Sequence, residues 1–272
     1  MDVDTMATWF TAIYLALWLF FIYSFAGVLV EMLYCWTIEF RGVFESRAGL
    51  LYLPFNMLYG IGGVVISLVL LPAIDNPFAV FALGALVGSI LEFITSVVMQ
   101  KLFHAVYWDY SKEFLNIQGR VCLKYTIIWG FLSLVLLYVF DTFNVEILAQ
   151  VPLGVGVPVL ALLVLVTLAS IVLTVLTFHR VGQRNAYLQA KADGEDATLP
   201  MPRWARLVDR LVPDAVLVNT FPRMSIVTRY QELSGHHRKV IFWLPKIGTS
   251  TAARLAASQK ARDQALLPGG GS

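Results

Sequence analysis

Glu31 and Glu92 each interrupt an otherwise apolar run, IYSFAGVLVEMLYCW and GALVGSILEFITSVVMQ. An ionisable side chain in such a run costs at least ~2.5 kcal/mol on membrane-insertion scales. It is therefore kept where it faces a bundle interior, a partner or water, and there it can bind a cation, relay a proton or hold a hydrogen-bonding solute. Ser24, Gly27 and Glu31 fall at i, i+3 and i+7, while Gly84, Gly88, Glu92 and Ser96 recur every four residues. Both glutamates thus lie on narrow small-residue stripes of the kind that lets helices approach closely. Tyr59, with Gly60, Gly62 and Gly63, offers a third such face. At the helical rise, Glu31 comes out roughly 9 Å and Glu92 roughly 12 Å inside the apolar layer. The candidate ion or solute pathway is therefore Glu31, Glu92, Ser24, Gly27, Ser96 and Tyr59. A structural use stands beside it, in which the glutamates only bond neighbouring helices, protonated or paired to arginine.

The stretch KLFHAVYWDYSKEFLNIQGRVCLKYTIIWG, residues 101–130, concentrates polar and aromatic residues between two apolar runs. His104, Trp108, Asp109, Tyr110, Arg120 and Lys124 are its candidates for a gate or a partner-docking surface, with Trp108 and Tyr110 suited to the membrane edge. The plain alternative is an interfacial aromatic belt with solvated charges. His104 and Asp109 could form an acid/base pair, but no nucleophile or metal set accompanies them, so no enzymatic activity is expected. No spaced cysteine or histidine set supports a metal site, and no cofactor is expected. Cys35 and Cys122 read as free packing thiols, and His236 and His237 as solvated residues of the tail.

Positioning these residues requires membrane-spanning helices. With 58% hydrophobic and 14% charged residues, the chain has the profile of an all-α integral membrane protein. Spans are predicted at about Trp9–Trp36, Phe55–Ile74, Phe78–Gln100, Cys122–Ile147 and Leu153–Phe178, a bundle of five. The first run is too long for a signal-peptide core and follows the acidic Asp2 and Asp4, so it is expected to stay in the mature protein. Of the 20 Lys and Arg, two (Arg41, Arg47) follow the first span, four (Lys101, Lys112, Arg120, Lys124) surround the polar segment and fourteen follow Phe178. That one-sided placement predicts an N-terminus outside and a C-terminus in the cytoplasm, in a multi-pass protein of the cell membrane.

The predicted organisation is a transmembrane bundle over 1–180, a cytoplasmic basic tail over 181–267, and a linker or scar over 268–272. In the tail, Trp204, Leu207, Val208 and Leu211 recur at helical spacing with Arg203, Arg206 and Arg210 on another face. Such a helix suits the inner membrane surface, or packs within the tail's own small domain. Residues 251–265 read as a further, water-facing helix.

Four ordered blocks carry a resemblance: FIYSFAGVLVE (Phe21 to Glu31), RAGLLYLPFNMLYGIGG (Arg47 to Gly63), EFITSVVMQKLFHAVYWDYS (Glu92 to Ser111) and NIQGRVCLKYTIIWG (Asn116 to Gly130), with a weaker echo at NTFPRM (Asn219 to Met224). Over roughly 17–135 the chain closely resembles the CmpB-like family of type IV ABC-transporter permeases. It carries Leu51, Leu53, Phe55 and Met57 where that family is more polar. The resemblance implies solute transport. The chain lacks the GxxxxGK[ST] phosphate loop, so the resemblance also implies a separate ATPase subunit, docked on cytoplasmic loops.

The reading that follows is a permease subunit in which Glu31 and Glu92 line one cytoplasm-facing pocket. Residues 101–121 cover it and Arg120 or Lys124 supply counter-charge. Two other classes remain open: an ATP-independent cation- or proton-linked transporter or channel, and a non-enzymatic membrane adaptor or sensor acting through the tail. Membrane lipids, the ATPase and a second copy of the chain are the expected partners, with no nucleic acid. The GxxxG at Gly84 and Gly88 serves either a dimer or packing within the chain.

Overall fold

The computed structural model describes residues 3–39, 46–103, 105–192, 196, 198–222 and 225–226. Helix α1 (Val3–Tyr34) ends in a π turn (Cys35–Glu39). Helix α2 (Met57–Leu70) runs into a 3-10 turn (Leu71–Ala73), and α3 spans Pro77–Phe103. Strand β1 (Ala105–Val106) precedes α4 (Leu123–Val135), whose axis continues through a wide π turn (Leu136–Asp141) into α5 (Thr142–Gln150). Helix α6 (Leu153–Ala192), short helices α7 (Arg203–Leu211) and α8 (Asp214–Thr220), and strand β2 (Ser225–Ile226) complete the described chain.

Among the described residues, four helical stretches are long and apolar enough to cross a membrane: Thr8–Ile38, Pro77–Leu102, Leu123–Gln150 and Leu153–Tyr187. The run predicted as a second span, Phe55–Ile74, forms a shorter apolar helix, Met57–Ala73. Its ends explain the shortening. Asn56 is extended and its side chain accepts a hydrogen bond from the Leu58 amide, which fixes the start. Pro72 cannot continue the α ladder, and Asn76 caps the next helix by accepting from Phe78 and Ala79. The composition change at His179, predicted as the boundary at 180, falls inside α6. Residues 179–192 become polar but remain good helix formers, so the backbone continues where the solvent preference changes.

Helix α3 packs closely on α4, and α1 on α2. The GxxxG stripe lies in the first of these contacts: Gly88 sits under the Trp129 ring and Gly84 against Ser133. Packing within the chain occupies this motif. Gly27 of α1 is likewise covered by the Tyr59 ring of α2.

Residues 46–56 fold back between α1 and α2 without forming a helix. The segment turns at Tyr52 (φ 62°), and Leu51 is fully buried. Non-helical backbone at membrane depth needs protein partners, because lipid supplies none. Here α6 supplies them: the Leu51 amide donates to Thr174 Oγ1 (3.1 Å) and Ser170 Oγ donates to the Leu51 carbonyl (2.6 Å). Leu50 and Phe55 are buried as well, which accounts for the apolar residues in this block.

The tail docks on the same end of the bundle. Strand β2 pairs antiparallel with β1, Ala105 opposite Ile226. Phe221 meets the rings of Tyr107 and Phe178, and joins Leu51, Val181, Val212 and Leu217 in one apolar core. Helix α7 buries Ala205 and Val208 but leaves Leu207 and Leu211 exposed, and it packs on α6. Arg180, 2% exposed, bonds Asp209 at 3.0 Å and the Pro200 carbonyl at 2.7 Å. Arg184 pairs with Asp214 at 2.9 Å. The amphipathic face predicted for the membrane surface or for a separate tail domain is thus partly spent on the extension of α6. The stretch 251–265 and His236 and His237 lie outside the described residues.

Candidate functional site

A cavity of about 400 Å³ opens among α1, α2, α3, α4, α6, the segment 46–58 and the tail. Glu31 and Glu92 both line it, with Tyr59 between their helices. The Tyr59 hydroxyl interacts with Glu31, and Glu31 is within electrostatic reach of Glu92. Glu92 is 5% exposed, and both its oxygens are engaged: one accepts from the Tyr110 hydroxyl (3.0 Å), the other from Trp129 Nε1 (3.3 Å). Glu31 is only half-buried. Aromatic side chains make up much of the rest of the wall, among them Tyr34, Tyr107, Trp108, Tyr125, Phe178 and Phe221.

The polar segment brings Tyr107, Trp108 and Tyr110 to the cavity wall through a tight local structure. Asn116 Oδ1 accepts from the Gly119 amide, Gly119 turns the chain at φ 63°, and the Tyr110 amide donates to the Gly119 carbonyl. Trp108 Nε1 donates to the Arg120 carbonyl (2.8 Å). Arg120 then fastens the loop to α3, donating to Ser96 Oγ (3.0 Å) and Gln100 Oε1 (2.5 Å). Burial pushes the Tyr107 and Tyr110 phenols above their ordinary range, Tyr110 further through the charge of Glu92, so both stay neutral donors near neutral pH. The Tyr107 hydroxyl is buried and has no hydrogen-bond partner among the described residues. Burial likewise raises the pKa of Cys122, and both cysteines are buried and outside any disulfide.

Not every predicted residue reaches the cavity wall. Trp108 and Tyr110 do, whereas Asp109 is exposed and caps the Ser111 amide. Ser24 is buried against Gly60 at the α1–α2 contact, Gly27 lines a second, smaller cavity, and Ser96 serves as the anchor for Arg120. None of these three small residues lines the cavity that holds the glutamates. Arg120 is turned to α3, and Lys124 stands over the Tyr34 and Tyr125 rings at 5.6 and 5.0 Å. The cation on the wall is Arg47. His104 lies outside the described residues.

Sequence reasoning passed over Arg47 and Tyr107 although both stand in the quoted blocks. It also passed over Thr220, Phe221 and Pro222, which close one side of the cavity. The signal for these three was the echo NTFPRM, which stands apart from the other blocks in the tail. Among the described residues no group of three or more His, Cys, Asp or Glu could hold a metal ion.

Comparison with curated proteins and with solved structures finds no match. A family model does match, over residues 18–175, more than half of the chain. Its description reads "Putative ABC-transporter type IV", and it spans α1 to α6 with both glutamates and the loop that covers them. The chain belongs to this ABC_trans_CmpB family.

Proposed function

We propose that the chain is the membrane permease subunit of an ABC-type transporter and that the cavity at Glu31 and Glu92 receives its solute, one with cationic or hydrogen-bonding groups. One observation carries the reading: carboxylates from two different helices share an aromatic-walled cavity. A volume of about 400 Å³ is in the range of small-molecule sites. Aromatic faces and carboxylates together favour a cation with an apolar body. Arg47 and the Tyr107 hydroxyl offer donors to an acceptor on the same solute. Solute enters past residues 105–110 and the tail segment 220–222, which form the movable wall. A separate ATPase subunit docks on the exposed part of the loop, about residues 111–118.

Affinity purification from native membranes is expected to co-elute a nucleotide-binding subunit. In inside-out vesicles, ATP-dependent movement should be found within a panel of amines and other hydrogen-bonding solutes. Glu31→Gln and Glu92→Gln, which keep shape while removing charge, are expected to lower it at least tenfold, about 1.4 kcal/mol or more, with expression retained. Full transport by both variants would assign the glutamates to helix bonding alone. Movement that persists without ATP or a co-eluting subunit would replace the permease reading by an ion-coupled one.

The orientation proposed is the one the basic residues favour, with the cavity and tail toward the cytoplasm. After Cys35 and Cys122 are replaced, a probe cysteine at position 76 should react with an impermeant reagent in intact cells, and one at 116 should not. Labelling at 116 and not at 76 would invert the topology.

A further inference from the structure

Asp141 plays no part in the solute cavity, yet it is an acid within a stretch long and apolar enough to span the membrane, Leu123–Gln150. It closes the π turn that separates α4 from α5, and such widened turns are frequent at functional sites because they re-aim a side chain. Its partners are both neutral hydroxyls: Tyr23 of α1 donates to Asp141 Oδ1, as does Ser67 of α2 (3.1 Å). Among the described residues, no basic side chain is among its partners. Asn144, one turn on, is 7% exposed, with its side chain within hydrogen-bond reach of the Tyr23 hydroxyl. The groups that face Asp141 are therefore Tyr23 from α1, Ser67 from α2 and Asn144 from its own continuation.

A second cavity of about 100 Å³, with an almost wholly apolar wall, borders this cluster at Tyr23. Tyr23, Gly27 and Phe140 line it, and its wall at Tyr59, Trp129, Val30 and Leu132 is also the wall of the solute cavity. Tyr59 and Trp129 are the side chains that meet Glu31 and Glu92. A carboxylate at membrane depth with hydroxyl partners and no counter-charge is incomplete as an ion. The adjoining cavity adds room for change at the same place. We propose that Asp141, held by Tyr23 and Ser67, is a proton-binding site within the α4–α5 span. The hydroxyl of Ser67 can turn to the Gly63 carbonyl, 2.9 Å away, when Asp141 carries the proton. An ATP-driven permease has no need of such a site, so it adds a coupling ion to the proposed function without depending on it.

The test is infrared pH-difference spectroscopy of the full chain in nanodiscs, with the proton itself as probe. The wild type is expected to show a protonated-carboxyl C=O stretch that vanishes as pH rises. That band should survive in the double variant Glu31→Gln/Glu92→Gln and be absent in Asp141→Asn. Tyr23→Phe keeps the ring and removes one hydroxyl, and should move the midpoint by about one pH unit, the equivalent of one hydrogen bond to a charged group. Where Asp141→Asn does not fold, the Tyr23→Phe midpoint decides. A band unchanged in both variants, or one lost only with the glutamates, overturns the proposal and leaves Asp141 as a bridge between helices. None of these spectra requires an ATPase or a known solute, so the outcome is independent of the transport assay.

Discussion

Gly88→Val is expected to destabilise the bundle by about 3 kcal/mol and to abolish a monodisperse folded particle, the upper end of the range for overpacking a well-filled contact. A Cβ at Gly88 would lie 2.5 Å from Cγ and Cδ2 of Trp129. Trp129 cannot step aside cheaply. Its Nε1 is bonded to Glu92 on the turn after Gly88, and its ring packs with Ile66, Leu70, Val80 and Leu137. The substitution would therefore pull α3 from α4, withdraw a donor from Glu92 and open the cavity that Glu92 lines at once. Gly154→Ala, where nothing lies within 4 Å, is the matched control and should be close to neutral. Thermal unfolding followed by tryptophan fluorescence in detergent compares the two. Equal melting temperatures for Gly88→Val and Gly154→Ala would show that α3 and α4 do not meet at this glycine.

Asp209→Asn is expected to weaken docking of the tail by about 3–5 kcal/mol, the cost of leaving one member of a buried ion pair alone. Arg180 is 2% exposed and Asp209 20%, so little water can replace the lost carboxylate. The remaining partners of Arg180, the Pro200 carbonyl, Gln183 and Met201, are all neutral. Release of α7 would draw Phe221 from Tyr107 and Phe178 and remove one wall of the cavity. Limited proteolysis should cut within 193–226 much faster than in the wild type, while the helices of the bundle stay intact. The double variant Arg180→Met/Asp209→Leu removes both charges and should recover much of the resistance. If Asp209→Asn is cut no faster, the ion pair does not hold the tail.

The apolar runs and the carboxylates within them were legible because lipid imposes one strong rule, that a long apolar run is a helix and a charge within it must face inward. From that rule follow α1, α3, the α4–α5 run and α6, and the attention to Glu31 and Glu92. The places of other residues were not legible where that rule is silent. Ser24, Gly27 and Ser96 share a stripe with the glutamates, but the stripe states only which face is buried. Neighbouring side chains decide whether a small residue lines a space or fills a contact, as Tyr59 does over Gly27 and Arg120 at Ser96. Asp141 was passed over because it lies near the end of a run predicted to close at Ile147. Its partners, Tyr23 and Ser67, are 118 and 74 residues away.

By itself, then, the sequence determined the lipid-facing class of the chain, the approximate helices, the family to which it belongs and the two acids worth following. These are properties of composition and short spacing, set by local backbone preference and by hydrophobic burial. Only the tertiary structure decided that Arg47 is the cation on the cavity wall. It alone brought Leu51 to Ser170 and Thr174, and residues 220–222 to the cavity more than a hundred positions from Trp108. It alone seated the polar face of α7 on Arg180. The reason is physical: a hydrogen bond or ion pair between distant segments leaves no periodic trace in either, and its partner is chosen when the packed helices fix which unsatisfied group lies within about 3 Å.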